Sequence, residues 1–238
     1  MCPSRSCDNG GGQREELMRK KIKDLLEKYD VGSQYTHIPL PKASILLPLL
    51  IRQGKPHLLL TVRSMQLKTM PGDVCFPGGR QEPSDEDDIQ TALREAKEEI
   101  GLRPEQVQVI GRLIPCIAKF PYYLVTPVVG IVEDTFQPVL NPSEVAEIFA
   151  VPLEFFLSPE HYTAIQMPQY VSQIIHQFHY NDTETKKRFT IWGLTAHCAV
   201  MLSVMILGKG PLFDPEYDLE SCIKGQEKFI QASYQSKL

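Results

Sequence analysis

Closely paired cysteines, a membrane-length apolar run and an excess of basic residues are all missing from this 238-residue chain, and each absence excludes a class of function. The six cysteines, at positions 2, 7, 75, 116, 198 and 222, form no CxxC pair. That removes the usual zinc clasp and thiol-redox motif, and reduced thiols in a reducing intracellular compartment are expected instead. The longest apolar run, "LTAHCAVMLSVMILG", is too short to cross a bilayer and is broken by His197, so it is expected to be a buried core helix and no membrane span is expected. The opening "MCPSRSCDNGGGQREE" is polar and glycine-rich, without the apolar stretch of a secretory signal. Lys and Arg together number 25 against 29 Asp and Glu, a net charge of -4. No nucleic acid or other polyanion is therefore expected to be held by bulk charge, although a local basic pocket stays open. The basic run "RKKIKDLLEK" is interleaved with acids and reads as a solvated helix face. There is no internal repeat and no linker-like segment.

What the chain does have is an ordinary globular composition, 42% apolar and 23% charged, and enough length for a substantial core. One α/β domain with extensions is the expectation. Residues 1–13 read as a disordered tail, 14–36 as a helical extension built on Leu17, Ile22, Leu25 and Leu26, and 211–238 as a C-terminal helical extension. "ASILLPLLI" and "HLLLTV" are β-rich runs separated by "RQGKP", a turn composition that predicts a hairpin or adjacent strands. "VQVIGRLIPC" and "LVTPVVGIV" are further strands, and the proline inside the second predicts a sheet edge or a bulge. "YVSQIIHQFHY" and "RFTIWG" are strand-like, and a core helix follows over about 194–208.

Between the strand pairs lies one well-marked helix, from about 85 to 100. Ser84 with Asp87 three residues on resembles a capping box, and acids in the first turn suit the helix dipole. Ile89, Ala92, Leu93, Ala96 and Ile100 recur at helical spacing as a buried stripe, and Gly101 is placed to end the helix as a left-handed cap. Glu95, Glu98 and Glu99 project within about 100° of one another along one border of that stripe. Like charges at this spacing repel, so the cluster suits either carboxyls that keep protons or a hard cation completed by substrate phosphates. A merely charged helix border is the plain alternative. Upstream, Gly78 and Gly79 can turn the backbone and let a ligand approach it closely.

In this order, loop, helix and carboxylate border resemble the signature of the Nudix hydrolase family, G-x5-E-x7-R-E-U-x-E-E-x-G-U, where U is bulky and apolar. Arg94 through Leu102 fit it throughout, except that Ala96 is small for U. In the first half, five positions beyond Gly79 lie before Asp85, whereas seven positions before Arg94 lead back to Glu86. The loop therefore carries one inserted residue, and either acid can stand for the first glutamate of the signature. "LLTVRSMQLKTMPGDVCFPGG", Leu59 to Gly79, resembles the L-L-T-x-R-[SA]-x3-R-x3-G-x3-F-P-G-G pattern of the coenzyme A diphosphatase branch, with Lys68 in place of an arginine. "NPSEVAEIFAVPLEFF" is similar to a downstream segment of that branch, and "GLTA" at 193–196 is a weaker echo.

The resemblance implies an α/β/α sandwich with a mixed β-sheet, the Nudix domain spanning 37–210. It implies hydrolysis of coenzyme A, acyl-CoA or oxidised CoA to 3′,5′-ADP and the phosphopantetheine product, with Mg²⁺ or Mn²⁺ as cofactor. Glu95 and Glu99 are then metal ligands, Glu98 a further ligand or the base for the attacking water, and Arg94 an orienting group. Arg63, Lys68, Gly78 and Gly79 become contacts for the substrate. Glu144 and Glu147 are candidates for a late acid, with an ordinary helix surface as the alternative. His176 and His179 sit three apart in a strand-like run, hence on opposite faces, and His197 reads as a buried core histidine. The terminal Ser236–Lys237–Leu238 matches the address read by the peroxisomal import receptor, so the chain resembles peroxisomal members of the branch. Another Nudix substrate, such as NADH or a nucleotide sugar, and a CoA sensor without activity are the rival expectations.

Overall fold

The computed structural model describes residues 9–118, 122–166, 174–183 and 185–235, so the expected tail up to residue 8 and the terminal Ser236–Lys237–Leu238 lie outside the described residues. Strand β1 (Lys42–Arg52) and strand β2 (Lys55–Arg63) form the expected antiparallel hairpin. Gln53 and Gly54 close it with φ of 53° and 73°, the paired positive values whose twist matches a two-residue hairpin. Two short strands follow, β3 (Val74–Cys75) on β2 and β4 (Gly78–Arg80) on β1. Helix α2 (Asp88–Ile100) then leads to β5 (Val107–Arg112), β6 (Cys116–Ala118), β7 (Tyr123–Val132) and β8 (Val145–Pro152).

The backbone of the sheet runs β3-β2-β1-β7-β5, with β4 on β1, β6 on β7 and β8 on β2. Only β1 and β7 among these pairs run parallel, so the sheet is mixed and mostly antiparallel. Pro127 corrects the expectation of an edge. It lies in an interior strand, Ile45 opposite it on β1. The proline is tolerated because β5 and β6 break apart opposite it, and the Pro127 carbonyl still accepts from Leu113 N at 2.8 Å. The irregularity falls in its partner β5, whose register shifts between Val109 and Gly111.

Helices cover both faces. On one side Ala92, Ala96 and Ile100 of α2 pack on Leu46, Leu50, Leu59 and Val128, with all three helix residues 0% exposed. Burying a side chain the size of Ile100 contributes about 2 kcal/mol. On the other side, α3 (Gly193–Leu207) packs into a larger core that also contains Ile22 and Leu26 of α1 (Asn9–Leu26) and Ile230 of α4 (Leu219–Gln235). The segments expected as extensions therefore share the central core, and α1 begins at Asn9, inside the stretch read as tail. Strands β9 (Tyr162–Gln166), β10 (Ile174–Asn181) and β11 (Arg188–Trp192) make a second sheet, docked through Phe189, whose ring stacks on Phe149 at 3.8 Å. Of these, β9 had no expectation from the sequence. The four described cysteines are free thiols, and among the described residues no helix is long and apolar enough to cross a membrane.

The start of α2 is a second correction. Asp87, not Ser84, is the cap: its backbone is extended and its Oδ1 accepts from Gln90 N at 2.9 Å. The helix cannot begin earlier because Asp85 is drawn inward, accepting from Glu82 N and Thr91 Oγ1. At the other end Gly101, at φ 71°, donates to Lys97 O while Leu102 donates to Ala96 O, the paired closure expected of a left-handed glycine. The second Asp87 oxygen holds Arg112 of β5, so one side chain both caps α2 and ties it to the sheet. Asp87→Ala is expected to lower stability by about 1–2 kcal/mol in urea denaturation, whereas Asp87→Asn, whose carbonyl oxygen can still cap the Gln90 N–H although the contact with Arg112 is lost, should lose less. Equal losses would show that the cap contributes nothing.

Candidate active site

The acid border of α2 meets strand β4 almost residue for residue. Glu99 lies opposite Gly78, whose N–H approaches Glu99 Oε2 at 3.3 Å. Glu95 lies opposite Gly79: a Cβ added there would stand 2.5 Å from Glu95 Cδ, inside the carboxylate. A Cβ on Gly78 would stand 2.7 Å from Ile45 Cα, and its φ of 156° also disfavours a side chain. Gly78 is thus required by the closeness of β1, and at Gly79 the space a side chain would fill is taken by the Glu95 carboxylate.

Arg94 organises the acids. Its Nε and Nη2 grip Asp85 at 3.0 and 2.9 Å, its Nη1 reaches Glu95 Oε1 at 3.1 Å and Glu98 Oε2 at 3.3 Å, and Nη2 also donates to Arg80 O at 2.9 Å. The geometry separates Asp85 from Glu86. Asp85 takes the arginine and is nearly inaccessible, its side chain 4% exposed, while Glu86 is exposed and only its backbone N–H is engaged, by Gln90. Sequence alone could not decide because the inserted residue is absorbed in the loop before α2.

The site's electrostatics follow from burial. The hydrogen bond from Arg94, helped by Glu82 N–H and Thr91, holds the Asp85 carboxyl down at about 2. Glu99 moves the other way: burial first, then the neighbouring Glu95 charge, push its pKa up to about 8, with the Gly78 N–H opposing. Burial also raises Glu95, against the pull of Arg94. Glu98 is 54% exposed at the mouth. Arg63 at the end of β2 and Glu144 just before β8 are both within electrostatic reach of Glu99. Arg63 itself donates to Thr69 O, and Lys68 is exposed on the same loop.

Other candidates separate. Glu144 and Glu147 are not on a helix; Glu144 precedes β8 and Glu147 lies within it. Glu147 is bound by Lys187 at 2.8 Å, away from the acid border. His176 contacts Tyr162 and His179 contacts Thr190 and Gln177, on opposite faces as expected, while His197 pairs with Gln226. Among the described residues no three His, Cys, Asp or Glu side chains converge closely enough to cage an ion alone. The donor set fits a hard divalent cation: hard oxygens on Glu95 and Glu99, crowded together with too little positive charge between them.

A NUDIX domain model matches residues 40–172. The chain is 46% identical over 226 residues to the peroxisomal coenzyme A diphosphatase NUDT7 of Mus musculus, covering 94% of this chain and 95% of that protein. It is 38% identical to the mitochondrial Nudix hydrolase 15 of Arabidopsis thaliana, covering 72% of this chain and 58% of that protein. It is 42% identical to the Nudix hydrolase NudL of Photorhabdus laumondii, covering 65% of this chain and 79% of that protein.

The raised Glu99 has a measurable consequence in the metal-free protein. With a folded pKa of about 8 against an ordinary 4.5, the folded chain holds a proton that the unfolded chain has released. Glu99 therefore contributes its full share of stability below about pH 4.5, and that share is lost as pH rises towards 8. Urea denaturation in chelator should show wild type losing stability relative to Glu99→Gln between pH 5 and pH 8; parallel curves would contradict the buried, proton-holding carboxyl.

Proposed function

The chain belongs to the Nudix hydrolase family, and from that membership we propose that it hydrolyses the diphosphate of coenzyme A, and of acyl-CoA or oxidised CoA, to 3′,5′-ADP and the corresponding 4′-phosphopantetheine. The observation that carries the substrate is the similarity to a coenzyme A diphosphatase along 94% of the chain. The reaction type is supported by the acid border of α2 set against the glycine pair.

A diphosphate repels an attacking oxygen because its phosphorus atoms are surrounded by negative charge. A divalent ion, Mg²⁺ or Mn²⁺, supplies charge neutralisation and a more acidic water. Glu95 and Glu99 are the residues that would hold it, facing the Gly78–Gly79 backbone. Glu98, exposed at the mouth and reached by Arg94 at 3.3 Å, accepts the proton of the attacking water. Arg94 is a positioning residue, since it fixes two glutamates while Asp85 fixes it. Arg63 and Lys68 receive the substrate phosphates as the diphosphate enters. Glu144, within electrostatic reach of both buried glutamates, is a further acid at the cleft; Glu147 is not, because Lys187 holds it.

The proposed compartment is the peroxisome, supported by the Ser236–Lys237–Leu238 address and by the peroxisomal relative. There the import receptor is the protein partner and the regulation of CoA levels the role.

Purified protein incubated with CoA, NADH and ADP-ribose, each with Mg²⁺ and with chelator, tests the reading. The expected result is metal-dependent release of 3′,5′-ADP from CoA, faster than turnover of the other two, with kcat down roughly a hundredfold or more in Glu98→Gln. Preferred turnover of NADH would replace the substrate. Binding of CoA without turnover would replace the enzyme with a sensor.

A further inference from the structure

Strand β4 lines up the charged groups of the cleft in order. Gly78 faces Glu99, Gly79 faces Glu95, and the next carbonyl, that of Arg80, receives Arg94 Nη2 at 2.9 Å. Arg63 acts on Glu99 from the other side of that glutamate. The side chain of Arg80 stands at the Glu95 end.

Successive strand residues point to opposite faces, so Arg80 turns away from α2, whereas Gly79 looks towards it. Its neighbour across the sheet is Ala43 of β1, and beyond that lies Val125 of β7. The small Ala43 side chain leaves Arg80 room to cross β1, and its guanidinium carbon rests over the Tyr123 ring, 5.2 Å from the centroid. Arg80 is exposed, and no acid among the described residues forms an ion pair with it. A guanidinium lying on a ring is held by its face, and its N–H edges point outward in one plane. That arrangement suits a phosphate, which it can bind with two parallel hydrogen bonds. Arg80 is thus a preset cation, fixed through its own carbonyl to the arginine that organises the acids.

The proposed substrate has one phosphate that the reaction does not touch, the monoester on the ribose. We propose that Arg80, seated on Tyr123, is the subsite for this 3′-phosphate and so selects 3′-phosphorylated substrates; the inference rests on the coenzyme A reading above. Arg80 follows Gly79 directly on β4 and is exposed on the face away from α2, so a nucleotide that runs off the Glu95 end of the strand brings its third phosphate to this cation. The Arg80 side chain makes no contact with the carboxylates among the described residues, so it acts on binding and leaves the chemical step alone.

Two experiments with one set of variants test this. Steady-state kinetics compare CoA with 3′-dephospho-CoA, which keeps the diphosphate and lacks only the monoester. Arg80→Ala is expected to raise KM for CoA about tenfold or more, the scale of a lost charged hydrogen bond, with kcat unchanged and KM for 3′-dephospho-CoA unmoved. Arg80→Lys should restore part of the loss, and Tyr123→Leu should produce a smaller loss of the same selectivity. Equal effects on both substrates would assign Arg80 to the diphosphate or to the fold and overturn the proposal. Calorimetric titration of 3′,5′-ADP and 5′-AMP does not depend on turnover. Tighter binding of 3′,5′-ADP by wild type, abolished in Arg80→Ala, supports the subsite even if CoA is not hydrolysed; equal binding of the two nucleotides overturns it. Failure of the functional reading would show separately, as wild-type protein inert towards CoA.

Discussion

Everything at this site depends on one arginine sharing its charge among carboxylates that would otherwise repel each other. Arg94 spends its donors on Asp85, Glu95, Glu98 and the Arg80 carbonyl. A pair as buried as Arg94 and Asp85 is a poor source of net stability, because both ions lose water on folding. Its value lies in placement. Once the fork is fixed on both Asp85 oxygens, the remaining Nη1 edge can only point along the helix towards Glu95 and Glu98. The same grip pulls the loop before α2 inward, which moves the start of the helix to Asp88 and leaves capping to Asp87.

The sheet supplies the other half of the site. The β1–β2 hairpin and the parallel β1–β7 pair set the height of β4, and α2 is pressed onto that sheet by Ala92, Ala96 and Ile100, small residues on one stripe followed by a branched one. Close packing brings the Glu95 carboxylate against the β4 backbone at Gly79 and the Glu99 carboxylate to the Gly78 N–H, while the β1 backbone at Ser44 and Ile45 leaves no room for a side chain at Gly78. The same closeness strips water from Glu99 and raises its pKa. A cation between the two carboxylates would relieve the repulsion that burial creates.

Much of this was legible in the sequence. The apolar stripe of α2, its Gly101 stop, the hairpin turn and the border on which the three glutamates gather are all short-range, and periodicity and turn chemistry report short-range facts well. The parts that failed depend on distant partners. Ser84 and Asp87 both look like caps locally, and only Arg94 removes the first by drawing in Asp85. Pro127 reads as an edge residue until the gap between β5 and β6 is seen. Glu144 and Glu147 are alike in sequence, yet one faces the buried glutamates and the other is taken by Lys187, forty residues away. Arg80 had no signal at all, since its partner Tyr123 lies across two strands.

In the proposed function Glu95 and Glu99, one gripped by Arg94 and both set against β4, are the metal-binding edge. Anomalous diffraction from crystals soaked in Mn²⁺ tests it directly. The expected result is anomalous density between these two carboxylates, facing Gly78 and Gly79, and lost in crystals of Glu99→Gln. Density confined to other acids, or density at this site that persists in the variant, would contradict this assignment.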